Sequence, residues 1–532
     1  MKKIIFPFAI ILFGFSFANV SCNKKADTIT STKESALQVT INQKQSISFD
    51  STSVVAFYKA HPDLVKYQKE VTNLYAKRDF HFIWFDDKGI IEFAHTLYHK
   101  SKELDREGVT STFPYLEKLQ GVFDANVENT LNQLDTELLL TNLYVYYVAS
   151  VYKGLDDKTT TEIGWLLPKK QVAYENLIDS LISDPKLLEK GNKLQFSQYY
   201  KLRDVLARYR EIEKNGGWNA IDLDPALKSY KPGDTAKAIT QIRARLFASG
   251  DIEQNSKSNL YDSTLVAAVK KYQLRNGKLV STSITANNIK EMNVPIGERI
   301  KQIIVNMERC RWVSPEFEKA NEYLVVNIPS YKVIFFRDGK IDFQSPVVVG
   351  TTMNKTVIFS GKMSYIVFSP YWNLPQSIIE KEVKPGIAKN RNYLANHNME
   401  WNRGQVRQKP GVKNSLGLVK FMFPNSNNIY LHDTPSKSLF AKETRAFSHG
   451  CIRVGKPRDL ALAILKNDKN WTPEKIDAAM HAGKENTYVL KNKIPVYIGY
   501  FTAWVDDKGE INFYDDVYQR DERLSNLILA SK

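Results

Sequence analysis

An α+β multidomain chain is predicted by three observations. Apolar residues recur at helical spacing from about Ser51 to Trp218, two shorter amphipathic stripes lie between Pro232 and Tyr272, and β-branched and aromatic runs take over after Trp312. The chain has 532 residues, enough for two or three domains. Its 43% hydrophobic and 12% aromatic content can bury real cores, which excludes a wholly disordered protein. The 74 Lys and Arg outnumber 58 Asp and Glu, a net charge of +16 that suits nucleic acid, anionic lipid or an acidic polymer without choosing among them. Cys22, Cys310 and Cys451 are the only cysteines, so a disulfide framework is excluded and a Zn site built mainly from cysteine is not expected.

The order of elements follows from composition and period. Lys2 and Lys3 precede an apolar run from Ile4 to Ala18, too short for a comfortable membrane span, and residues 1–22 are expected to form an export signal. Asn23 to Asp50 is Lys, Thr, Ser and Gln with few large apolar side chains, the composition of a flexible tether over 23–50. A helical scaffold is expected over 51–228. Within it Glu137–Tyr152 is apolar around most of its circumference, hence a buried helix, and Tyr199–Ile212 carries Leu202, Val205, Leu206 and Tyr209 on one face before Asn215-Gly216-Gly217 stops it. In 229–295, Ile239, Ile242 and Leu246 form one stripe, and Leu265, Val269 and Tyr272 a second, which makes a small helical unit.

A β-rich domain is expected over 296–505. Strand signals lie at 323–329, 333–336 and 346–350, with Arg337-Asp338-Gly339-Lys340 as hairpin chemistry, then at Ser364–Phe368, Leu418–Phe423 and Asn428–Leu431. Helices are expected late, at Lys456–Lys466 and Pro473–Ala482, and 506–532 as a C-terminal tail. The polar stretch after Trp372 interrupts the strands and is expected to be a cap at about 373–417, since long insertions in compact domains are functional lids or disordered loops.

The chemistry concentrates in Tyr430-Leu431-His432-Asp433-Thr434-Pro435 and in Arg445-Ala446-Phe447-Ser448-His449-Gly450-Cys451-Ile452-Arg453-Val454. A thiol attacks a carbonyl as thiolate, and an ordinary cysteine needs a nearby imidazole or cation to ionise near neutrality. His432, His449 and Arg453 are candidates for that role, and Gly450 permits a tight turn whose N–H groups could face an oxyanion. Two other readings compete. Cys451 could be a small buried hydrophobe, or His432, His449 and Cys451, with Asp433, could ligate Zn²⁺. A metal would occupy the lone pair that a base needs, and Arg453 beside the thiol suits an anion partner.

Three resemblances sharpen this reading. Asn19-Val20-Ser21-Cys22 resembles a bacterial lipobox, with Asn19 where Leu is usual, and implies lipidation of Cys22 and a membrane anchor. Residues 229–295, with Lys-Pro-Gly-Asp, Ile-Arg-Ala-Arg-Leu and Ala-Val-Lys-Lys-Tyr-Gln, resemble a three-helix peptidoglycan-binding module. His432, sixteen residues (433 to 448), then His449-Gly450-Cys451-Ile452-Arg453 resembles the signature of the L,D-transpeptidase catalytic domain, the YkuD fold. Pro370-Tyr371-Trp372-Asn373-Leu374-Pro375, Asn414-Ser415-Leu416-Gly417-Leu418-Val419-Lys420-Phe421 and Leu431-His432-Asp433-Thr434-Pro435 are similar to motifs of its larger YcbB-like subfamily. Cys310 stands where family members often carry an aromatic residue.

The resemblance implies a helical scaffold, a wall-binding module and a YkuD-type catalytic domain with an inserted cap. Cys451 would be the nucleophile and His432 the base, with Asp433 orienting His432 through its backbone carbonyl. His449, Gly450 and the Cys451 amide would shape the oxyanion site, and Arg453 would hold substrate or activate the thiolate. Tyr430, Trp372 and Ser448 would line the substrate cleft. The implied reaction forms 3→3 peptidoglycan cross-links through a cysteine thioester, releasing terminal D-Ala from a tetrapeptide stem. An L,D-carboxypeptidase or endopeptidase on the same residues, or a non-catalytic wall-binding lipoprotein, are the alternatives. No cofactor and no metal are implied. The implied partners are peptidoglycan stem peptides, carbapenem-type β-lactams as inhibitors and, through Cys22, a membrane. Nucleic acid is not among them, since no recognition motif accompanies the charge. The expected location is the periplasm, as an exported lipoprotein.

Overall fold

The computed structural model describes residues 47–190, 194–226 and 228–529. The expected export signal, Cys22 and most of the tether lie outside the described residues. The end of the tether is a correction: Phe82 N–H donates to the Ile47 carbonyl at 2.8 Å and Phe49 N–H to that of Phe80 at 3.1 Å, with the Phe49 ring edge-on to Tyr75. An aromatic side chain with a pocket to enter overrides the polar composition around it. Among the described residues, no helix is long and apolar enough to cross a membrane.

The scaffold is built around the helix Gln133–Val148, whose residues from Thr136 to Val148 are all buried, as its all-round apolar pattern predicts. Asn132 caps it by accepting from Asp135 N–H at 2.8 Å. The buried acid of this helix, Glu137, accepts from Tyr75 O–H at 2.7 Å and from the N–H groups of Ile83 and Trp84, which compensates a carboxylate that burial pushes up to about 7. The helix Ser197–Lys214 ends where expected, with Gly217 N–H returning to the Ile212 carbonyl at 2.8 Å. It packs against the helix Ile296–Trp312, and Tyr199, Leu202, Leu206, Ile303, Met307 and Cys310 belong to the same apolar core as the sheet described below. Helix and sheet thus share one core, so the expected boundary at 296 is not a physical seam. Cys310 is fully buried there and its thiol is pushed far up by burial, the state of an inert small hydrophobe.

Residues 229–295 form helices Lys237–Ala248, Ser263–Arg275 and Ala286–Met292 around Ile239, Ile242, Leu265, Val269 and Tyr272. Both predicted stripes face this core, and a short strand pair, Ser229–Tyr230 with Ile284–Thr285, closes it.

The sheet has nine strands: β1 Glu322–Asn327, β2 Lys332–Arg337, β3 Lys340–Gly350, β4 Phe359–Phe368, β5 Val419–Met422, β6 Leu431–His432, β7 Ala446–Ser448, β8 Ile452–Val454 and β9 Asn486–Gly499. Their order is β7-β3-β8-β6-β5-β4-β9-β1-β2, and β2 also pairs with β3, so the sheet closes on itself. The β2–β3 hairpin turns at Asp338 and Gly339 with φ of 50° and 73°, the left-handed pair that a two-residue hairpin requires. Alternation fixes two faces. Phe421, Leu431, Ile452 and Val454 are fully buried in the core, and the residues between them, Lys420, His432 and Arg453, point to the opposite face.

Between β4 and β5 the chain forms the cap. Strands Trp372–Asn373, Met399–Asn402 and Gln405–Gln408 make a small sheet, backed by helical turns and a private core of Leu374, Ile379, Val383 and Val406. The segment 506–529, expected as part of a tail, is folded onto the body. Ala503–Val505 pairs with Ile511–Phe513, the helix Asp521–Leu529 follows, and Ile511, Phe513, Tyr518 and Leu524 are buried. Its apolar residues are spaced among Asp and Lys, so no single window signals burial, yet Arg309 meets Asp521 at 2.7 Å and Arg275 donates to the Ile511 carbonyl at 2.8 Å.

Candidate active site

The site grows from two short parallel strands. Leu431 is in register with Ile452 and His432 with Arg453, and Ile452 N–H donates to the Tyr430 carbonyl at 3.1 Å. Residues in register share a face, as do residues two apart, so Tyr430, His432, Cys451 and Arg453 all project from one side. The core-facing partners Leu431 and Ile452, fully buried, lock that register, because a slip of either strand by one residue would turn its two site side chains inward.

His432 is 4% exposed. Its Nδ1 lies 2.5 Å from the Asp433 carbonyl oxygen, which can only accept, so Nδ1 carries the ring proton and Nε2 keeps its lone pair. Burial, aided by the guanidinium of Arg453 and the ammonium of Lys420, holds the imidazole pKa down to about 3. Burial pushes the Cys451 thiol up, against the opposing pull of hydrogen bonds from Tyr430 and the charge of Arg453. The sulfur contacts the Asn428 carbonyl at 3.6 Å, and among the described residues no hydrogen bond joins it to His432. Both shifts favour a neutral thiol and a neutral imidazole over a resting thiolate–imidazolium pair, since burial disfavours the charged form of each.

The Asp433 carboxylate faces away from the ring. It accepts from Thr434 N–H at 2.7 Å, from Leu418 N–H at 2.8 Å and from the Lys437 ammonium. Asp433 therefore reaches His432 through its carbonyl and the root of the cap through its side chain. The turn before the nucleophile is braced from within. Ser448 Oγ donates to the Cys451 carbonyl at 2.5 Å and accepts from Gly450 N–H at 3.1 Å, while Gly450 itself has φ 117°. The Gly450 amide is thereby used inside the turn, whereas the Cys451 N–H has no hydrogen bond among the described residues. Ser448, expected to line the cleft, is 3% exposed and spent on this turn. His449 is exposed. Trp372 packs half-buried against the cap core, and Tyr430 is half-buried beside the sulfur with its ring 5.6 Å from that of His432. Among the described residues, no three His, Cys, Asp or Glu side chains converge as a metal site.

Sequence reasoning missed the outer support. Thr356 Oγ1 donates to the Gly450 carbonyl at 2.8 Å and accepts from Gly350 N–H at 2.9 Å. Tyr518 O–H donates to the Gly350 carbonyl at 2.7 Å and accepts from Thr356 N–H at 3.1 Å. Thr356 lies 94 positions from Gly450 and Tyr518 lies 168 from Gly350, so neither bond has a local signal. A cavity of about 980 Å³ sits between the helix Ser197–Lys214, the helix Ser263–Arg275 and the outer faces of β1 and β2, and its lining does not include Cys451.

Comparison with known proteins agrees with this geometry. Residues 321–476 match the L,D-transpeptidase catalytic domain, YkuD, and residues 69–206 match the Scaffold domain. The Haemophilus influenzae protein named "Putative L,D-transpeptidase" is 32% identical over 246 residues, 42% of this chain and 49% of that protein. The chain thus spans about half the length of the curated relative it matches. Among solved structures, an L,D-transpeptidase from Stackebrandtia nassauensis is 15% identical over 53% of this chain and 96% of its own, with a TM-score of 0.22. One from Mycobacterium smegmatis is 12% identical over 34% of this chain and 59% of its own, with a TM-score of 0.20. The sheet that carries Cys451 and His432 lies within the residues that match the L,D-transpeptidase catalytic domain, YkuD, and follows the residues that match the Scaffold domain.

Proposed function

We propose that the protein is a cysteine-dependent L,D-transpeptidase that makes 3→3 peptidoglycan cross-links. The observation that carries the reading is the shared face of Tyr430, His432, Cys451 and Arg453, with the imidazole tautomer set by the Asp433 carbonyl. Nε2 of His432 takes the thiol proton as the Cys451 sulfur adds to the carbonyl at the L-centre of the third stem residue. The Cys451 N–H, with Arg453 nearby, faces the developing oxyanion. Collapse breaks the C–N bond, the imidazolium returns its proton to the departing D-Ala amine, and a thioester remains. The side-chain amine of a neighbouring stem then adds to the thioester, gives its proton to His432 and releases the thiol. Two acyl transfers replace one difficult amide exchange, and the bond broken conserves the acyl energy.

The same thiol is expected to open carbapenem β-lactams; one L,D-transpeptidase among the fold neighbours was solved in complex with imipenem. Residues 229–295 would hold the wall, and lipidated Cys22 would anchor the exported protein at a membrane facing the periplasm. The test is to add purified protein to peptidoglycan, digest with a muramidase and determine cross-links by mass spectrometry. New 3→3 dimers are expected. Shortened stems without dimers would indicate hydrolysis, and unchanged muropeptides with an unreactive Cys451 would indicate a non-catalytic binder.

A further inference from the structure

A row of charge crosses the open face of the sheet. Lys420 on β5 is in register with His432 on β6, which is in register with Arg453 on β8. With neighbouring strands about 4.8 Å apart, the backbones of Lys420 and Arg453 stand roughly 10 Å apart with that of His432 between them. Arg453 Nε is buried without a hydrogen bond, and the Lys420 ammonium has no hydrogen bond or ion pair among the described residues. Lys420 is half-buried, and burial lowers its pKa, although Glu485 acts the other way. Glu485 is itself exposed, spends its carboxylate on Tyr371 N–H at 2.8 Å and makes no ion pair with Lys420. Two cations without an ion pair among the described residues thus flank a neutral base on the open face of the sheet, an arrangement suited to binding an anion.

We propose that Lys420, opposite Arg453 across His432, binds a carboxylate of the donor stem and so selects stems that carry one beside the bond that Cys451 attacks. This rests on the transpeptidase reading and adds a specificity-determining residue to it. The carboxylate has two sources: the terminal carboxylate of the departing D-residue, or a side-chain carboxylate on the third stem residue.

Acylation kinetics of the full chain separate them. Three donors are compared: a tetrapeptide stem with both carboxylates free, the same stem as its terminal carboxamide, and the same stem amidated at the third side chain. Lys420→Met is expected to raise KM for the free donor about tenfold, with kcat within about twofold, and Lys420→Arg to restore most of the loss. Amidation of the bound carboxylate should raise the wild-type KM by a similar factor and abolish the difference between wild type and Lys420→Met, which names the source. The wild-type comparison of donors stands even if Lys420→Met folds poorly. Equal KM values for all three donors in the wild type, or an equal loss on every donor in Lys420→Met with no rescue by Arg, would overturn the carboxylate site and leave the transpeptidase reading intact. A wild type that no donor acylates would overturn both.

Discussion

Gly417 lies so close to Asp433 that a Cβ on it would stand 2.3 Å from the carboxylate. Its φ of 61° is a second reason for glycine. The contact lets Leu418 N–H reach the carboxylate, and the same residue's carbonyl holds the His432 ring. The root of the cap and the proposed base are therefore two sides of one residue.

Gly417→Ala should displace Asp433, lowering stability by about 1–3 kcal/mol from backbone strain and crowding, and should slow acylation. Thermal melting and stopped-flow acylation report the two effects. A stable variant with full activity would show that Asp433 does not position the ring.

His432→Gln should reduce acylation by about 10²–10⁴-fold with little change in donor KM, because a base acts in the transition state. The residue also carries a pH signature. Its folded pKa, about 3, is below the unfolded value, so the unfolded chain binds the proton first and stability falls as pH drops from about 6.5 towards 3. Between pH 7 and 4 this group alone removes about 3 kcal/mol, and denaturant titrations of His432→Gln should show a shallower acid loss.

The raised Cys451 thiol predicts slow alkylation at neutral pH, with a rate that climbs only above the ordinary cysteine range. Iodoacetamide rates across pH, followed by peptide mapping, test this. A plateau below neutrality would mean a preformed thiolate and imidazolium.

Removing the outer brace should act at a distance. Tyr518→Phe and Thr356→Val each delete hydrogen bonds that hold the Gly350 and Gly450 carbonyls, and each should cost about 1–2 kcal/mol and a several-fold loss in acylation. Truncation before Tyr518 should be worse, because Leu524 and the Arg309–Asp521 pair leave with it.

The legible parts of this molecule are those with a local cause. The stripe of Leu202, Val205, Leu206 and Tyr209 and the Asp338-Gly339 turn are written in nearby residues, and both fold as their patterns imply. The 14-residue strand β9 escaped because Lys491 and Lys493 interrupt its alternation, where it switches from antiparallel pairing with β4 alone to parallel pairing with β1 as well. The cap is polar in sequence because only Leu374, Ile379, Val383 and Val406 build its core. Thr356, Tyr518 and the row from Lys420 to Arg453 arise from register between distant strands, which no single window contains.

The most direct test is intact-mass analysis of the protein, with peptide mapping, after incubation with a tetrapeptide stem. A covalent adduct equal to the donor minus D-Ala is expected on Cys451, absent from Cys451→Ala. No adduct, or an adduct that persists in Cys451→Ala, would contradict the cysteine-thioester reading.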